Sequence, residues 1–108
     1  MKIIIREEIC CNKSNLKKYL PARYVSLVNK KYYKQIVTLV CFPTVQTAIT
    51  SKNVEKALKK VKNQNITVLY FAQCFTLEAI NIINDKSGAA FALREFPWTD
   101  DSYNHIRG

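Results

Sequence analysis

The sequence predicts a single-domain α/β protein, a two-layer or three-layer sandwich built around a mixed sheet. Three observations lead there. The chain has 108 residues, 48% of them hydrophobic and 23% charged, an ordinary globular composition in a chain that folds around one core and buries roughly two thirds of its unfolded surface. Residues 66–72 form a nearly continuous run of β-branched and aromatic side chains, which suits a strand covered on both faces. From residue 51 onward the patterns alternate helix, strand, helix, strand, the order that generates parallel strands joined by right-handed crossovers. Residues 1–108 are therefore read as one small domain.

Taken in order, residues 2–9 are isoleucine-rich and predict a first strand, ended by the polar segment 10–15. Residues 16–20 predict a short helix that stops before Pro21, because the residue preceding proline is pushed out of the helical region. Residues 24–28 and 32–42, separated by Asn29, Lys30 and Lys31, read as a β-hairpin whose second strand ends at Pro43. Over residues 51–63, Val54, Ala57, Leu58 and Val61 follow the i, i+3, i+4, i+7 rule, with Ser51 as the expected cap. Lys52, Lys56, Lys59 and Lys60 then fall on the opposite side of that helix. Thr76 caps a second helix over residues 77–85, with Glu78 complementing the dipole and Gly88 placed to end it. Residues 89–96 predict the last strand.

Charge is the feature with the most direct bearing on function. The net charge is +9, and residues 9–54 contain no Asp or Glu while carrying Lys13, Lys17, Lys18, Arg23, Lys30, Lys31, Lys34 and Lys52. Such a surface raises encounter rates with polyanions. No signal-peptide core or apolar span of roughly 20 residues is present, so no membrane partner is expected and the cytoplasm is the expected location. Cys10, Cys11, Cys41 and Cys74 would there be reduced.

Several chemistries are excluded or disfavoured. With only Gly88 and Gly108 as glycines, neither a P-loop nor a dinucleotide-binding glycine fingerprint can be written on the chain. The single histidine, His105, reads as a tail residue. No Cys-x-x-Cys pair exists to start a zinc site, so no metal and no cofactor is expected. Cys41 and Cys74 read as small core residues. Glu7 and Glu8 alternate across a strand and cannot share a site. Glu95 and Asp100 are the last candidates for an unusual nuclease centre, and no catalytic residue is assigned.

From residue 35 to about residue 96 the chain resembles the second half of the catalytic domain of Mrr-type restriction endonucleases. The resemblance rests on a strand at 36–42, an amphipathic helix at 51–63, a buried strand at 66–72, the run Phe75-Thr76-Leu77-Glu78-Ala79 and a final strand at 89–96. It implies a restriction-endonuclease-like fold. Nucleases of that family carry an acid on the first hairpin strand and an acid or Gln, then any residue, then Lys on the second, to hold a divalent ion and activate water. Here those places read as an acid-free segment and Val40-Cys41-Phe42, so the resemblance implies a degenerate relative without the metal site.

The expected function is binding of DNA or RNA backbone, non-specifically and without catalysis. Lys30, Lys31 and Lys34 on the hairpin and Lys52, Lys56, Lys59 and Lys60 on the helix would contact phosphates, with Tyr32 and Tyr33 either stacking on bases or packing across the sheet. The alternative is a protein-interaction module of regulatory, immunity or inhibitor type with an acidic partner, or a homodimer, using Phe96, Trp98 and Tyr103 as aromatic anchors.

Overall fold

The structure, a computed structural model, describes residues 2–43 and 47–94. Its centre is a four-stranded sheet in the order β1-β2-β3-β4, formed by Ile4–Cys10 (β1), Ile36–Cys41 (β2), Val68–Ala72 (β3) and Ala89–Ala92 (β4). β1 pairs antiparallel with β2, and β2, β3 and β4 run parallel. The mixed α/β sandwich expected from the sequence is what forms, in its three-layer version.

One outer layer contains the helices Ser51–Lys60 (α3) and Leu77–Asp85 (α4), which pack on each other and on Val40, Val68, Tyr70 and Ala72 of the sheet. Two consecutive crossovers of the same hand, moving in the same direction along a sheet, place their helices on the same face. The other outer layer contains Lys13–Tyr19 (α1), Ala22–Val25 (α2) and a 3-10 turn at Lys30–Tyr32. Its Leu16, Leu20, Tyr24, Val25 and Val28 cover Val37, Leu39, Cys41, Leu69 and Phe71. Successive residues of β2 and β3 thus serve opposite cores, as the two-residue period of a strand requires, and β3 is buried along its whole length.

β1 alternates in the same way at Ile4 and Ile5 and then changes phase. Its register slips between Arg6 and Ile9, which pair with Leu39 and Val37. Glu7 and Glu8 on β1 thereby oppose the single residue Thr38 on β2, a β-bulge, and Glu8 occupies the left-handed region with φ 55°. Ile3 and Ile5 pack toward α3 and α4, whereas Ile9, which shares their parity, packs toward α1 and α2. Glu7 remains on the α3 side, half-buried.

Caps set the helix ends. Asn12 accepts the Asn15 N–H at 2.8 Å and starts α1, and Pro21 follows the end of that helix as expected. Thr50, rather than Ser51, caps α3: its hydroxyl accepts the Asn53 N–H at 3.3 Å while Asn53 Oδ1 accepts the Thr50 N–H at 2.9 Å, a reciprocal capping box. Thr76 caps α4 as predicted, accepting the Ala79 N–H at 3.2 Å. It also donates its hydroxyl to the Ile49 carbonyl at 3.1 Å. The two helix starts are thus tied together, beside a parallel bridge between Ile49 and Phe75.

Two local expectations are corrected. The hairpin over residues 24–42 does not form: its first half is α2 and the 3-10 turn, and the antiparallel partner of β2 is β1. Tyr24, Val25, Leu27 and Val28 stand at i, i+1, i+3 and i+4, a helical spacing, and Pro21 is well placed to start a helix. Asn29 then caps the next turn by accepting the Lys31 N–H at 3.0 Å. At the end of α4, Ser87 rather than Gly88 takes the left-handed conformation, φ 58°. The Gly88 N–H reaches the Ile83 carbonyl at 2.9 Å and the Ser87 N–H the Asn84 carbonyl at 3.1 Å, a Schellman motif. Glycine is needed at 88 for closeness: a Cβ there would lie 2.9 Å from the Val68 carbonyl oxygen.

Candidate functional site

Most of the basic residues in the acid-free stretch fold into one place. Its residues 11–35 supply the whole α1–α2–turn layer, while residues 36–41 form β2 and residues 51–54 open α3, with Lys52 the one basic residue of the stretch on that helix. Lys13, Lys17, Lys18, Arg23, Lys30, Lys31 and Lys34 are all exposed there, with no acidic side chain anywhere in the segments that build the layer.

The lysines singled out from sequence do not form one surface. Lys30 and Lys31 lie on the 3-10 turn, and Lys34 follows it with φ 71°, its N–H held by the Cys11 carbonyl at 2.8 Å. Lys52, Lys56, Lys59 and Lys60 are exposed on α3, across the sheet from them. Glu55 sits among these four on α3, one turn from Lys52 and Lys59, and offsets part of their field. The segments that build the α1–α2–turn layer contribute no such acid of their own. Lys13, Lys17, Lys18 and Arg23 belong with Lys30, Lys31 and Lys34, and the signal that groups them is the missing acid itself. Phe96, Trp98, Tyr103, Glu95, Asp100 and His105 lie outside the described residues.

Aromatic rings are interleaved with these charges. Arg6 and Lys18 lie 5.7 and 5.4 Å from the Tyr19 ring centroid, Arg23 lies 5.3 Å from Tyr24, and Lys31 lies 5.1 Å from Tyr32. Such contacts hold cations above ring faces near the surface. The two adjacent tyrosines part company. Tyr32 turns its ring edge-on to Phe91 of the sheet at 6.0 Å and serves packing, whereas half-buried Tyr33 lines a pocket.

That pocket, of about 400 Å³, opens where α1, α2 and the 3-10 turn meet. Val25 and Val28 form its apolar floor, and Lys13, Lys17 and Lys30 stand around it. Lys13 and Lys17 are one helical turn apart and so share a side of α1, while Lys30 approaches from the turn.

The acids and thiols have structural explanations. Glu7 Oε1 accepts the backbone N–H groups of Lys62 and Asn63 at 2.9 and 3.2 Å, and Glu8 is the exposed bulge residue. Cys11, Cys41 and Cys74 are buried small core side chains. Desolvation pushes the Cys41 thiol up to about 11 despite the nearby Arg23 charge, and burial raises Cys11 as well. Neither is a ready thiolate. Among the described residues no three His, Cys, Asp or Glu side chains gather as a metal site, and no helix is long and apolar enough to cross a membrane.

No family model, curated protein or solved structure matches this chain. The residues themselves therefore carry the functional reading.

Proposed function

We propose that the protein binds DNA or RNA without cutting it, by holding backbone phosphates against the α1–α2–turn layer, with the α3 lysines as a second, weaker patch. One observation carries this reading: seven exposed basic side chains and no acid are contributed by the segments of a single layer. Lys13 adds to it. It is the first residue of α1, whose first turn holds no acid, so the helix dipole and Lys17 both disfavour its charge. A cation at a place where local stability favours an anion suits a requirement imposed by a ligand.

We also propose that the chain is a degenerate restriction-endonuclease-like module acting in the cytoplasm. Val40, Cys41 and Phe42, which the resemblance sets against the family's cation-binding acid and lysine, are at most 1% exposed, surroundings that favour apolar packing over metal chemistry. Backbone contacts of this kind position a protein without reading sequence, and they give dissociation constants on the order of 10⁻⁴ to 10⁻⁶ M at physiological salt.

Fluorescence anisotropy of labelled oligonucleotides over a salt series tests the reading. Binding whose logarithm falls linearly with the logarithm of salt concentration, with a slope of several phosphates at about −0.9 each for duplex DNA, is expected. Absence of binding at low salt would reject it.

A further inference from the structure

We infer that the pocket at the junction of α1, α2 and the 3-10 turn receives one unpaired nucleotide, so that the protein prefers single-stranded to duplex nucleic acid. This rests on the nucleic-acid reading above and names the form of the ligand.

A phosphate patch needs only exposed cations, but this site has more than cations. Its floor is apolar, from Val25 and Val28, and Tyr33 presents an aromatic side chain beside Lys30. A wholly anionic ligand would leave that apolar surface uncovered, and a wholly apolar ligand would leave Lys13, Lys17 and Lys30 unused. A nucleotide carries both characters: a flat base for the floor and the ring, and a phosphate for the surrounding ammonium groups. The volume of about 400 Å³ falls within the range of roughly 300 to 1,000 Å³ common to small-ligand sites. In a duplex the base is stacked and paired, and extracting it costs a few kcal/mol. A single strand offers the same unit without that cost, and stacking on an aromatic side chain is the usual means of holding it.

The test compares, at constant ionic strength, a single-stranded oligonucleotide, an abasic strand of equal length and a duplex, bound by the full chain. The single strand is expected to bind about tenfold tighter than the other two. Ser26→Trp, at an exposed rim position, should fill the pocket and erase that difference while leaving the salt slope of the abasic strand unchanged. Tyr33→Leu should do the same, with circular dichroism confirming the fold of both variants. Adenosine monophosphate should displace the single strand where inorganic phosphate at equal concentration does not. Equal binding of all three ligands with a steep salt slope would overturn the pocket assignment and leave phosphate binding standing. Unchanged preference in both variants would likewise overturn it. Failure of every ligand to bind at low salt would remove the nucleic-acid reading and this inference together.

Discussion

Glu7 on β1 grips the chain just beyond α3, its Oε1 accepting the backbone N–H groups of both Lys62 and Asn63 at 2.9 and 3.2 Å. An edge strand is thereby fastened to the crossover that leads into β3, across 55 residues of sequence. Hydrogen bonds to a charged acceptor are worth more than neutral ones, but this pair is open to water, so Glu7→Gln is expected to cost about 1 kcal/mol and Glu7→Ala somewhat more. Urea unfolding of both variants measures it. A loss below a few tenths of a kcal/mol would deny the clamp a structural role.

The end of α4 predicts a pair of opposite effects one residue apart. Ser87 holds φ 58°, and Ser87→Gly should stabilise the fold by up to about 1 kcal/mol. Gly88→Ala should destabilise it by roughly 1 to 3 kcal/mol, because the new methyl meets backbone at the Val68 carbonyl, 2.9 Å away, as well as Ile83 Cγ2 at 3.2 Å. Thermal unfolding of the two variants gives the signs directly.

Thr38 Oγ1 and Tyr70 Oη are buried without a hydrogen-bond partner. A buried hydroxyl that has given up water for nothing costs about 1 to 3 kcal/mol. Thr38→Val and Tyr70→Phe are therefore expected to hold or raise stability, against the usual direction for core substitutions. A loss exceeding about 1 kcal/mol in either would mean that the hydroxyl is satisfied in solution.

The same burial predicts an alkaline limit. Desolvation pushes Tyr70 up from 10.0 to about 12 and Cys41 up from 9.0 to about 11. Both groups are neutral in the folded protein at pH values where the unfolded chain already releases their protons. Their contribution is complete below pH 9, declines as the unfolded-state groups ionise, and is gone by pH 12. Stability should fall over that window, and Tyr70→Phe should flatten its upper half. A pH series of unfolding midpoints decides.

Lys13 offers a test in which structure and binding move apart. Lys13→Glu places an anion at the start of α1 and removes its repulsion with Lys17, so a stability gain of about 0.3 to 1 kcal/mol is expected. Oligonucleotide affinity should fall at the same time. A variant that is more stable and binds equally well would separate Lys13 from the proposed surface.

Replacing Lys13, Lys17 and Lys30 together by Gln should lower the magnitude of the salt slope by about two to three phosphate contacts. The same treatment of Lys56, Lys59 and Lys60 should lower it less, since Glu55 already offsets that helix. Equal losses would make the two layers equivalent surfaces.

The parallel part of the fold was legible because its residues obey one period at a time. Val54, Ala57 and Leu58 mark a helix stripe, and residues 68–72 are apolar throughout. Residues 24–28 suggest a strand by type, through tyrosine and valine, while their spacing is helical, and spacing decides when a layer must bury one side. The capping Thr50 differs from the expected Ser51 by one position, since either hydroxyl can start a helix and only Asn53 selects between them. For the site, the sequence identifies the charges but not their arrangement: Lys52, Lys56, Lys59 and Lys60 lie on α3, Lys30, Lys31 and Lys34 at the 3-10 turn, and the sheet stands between them. The pocket needed Lys13 and Lys30 side by side, a juxtaposition that no local pattern announces.

The extra residue at Glu8 has an effect beyond the two cores that it reconciles. Among the described residues β1 is an outermost strand of the sheet, and strands of that kind invite other molecules to add themselves in register. A bulge twists the free edge and breaks its regular spacing of donors and acceptors, and here its extra residue, Glu8, is an exposed charge. The irregularity thus acts as a guard against fibril-like stacking. Deleting Glu8 would restore regular alternation, leaving Ile9 opposite Val37 on its own layer but straightening the free edge, and the resulting protein should precipitate at concentrations where the parent remains dispersed.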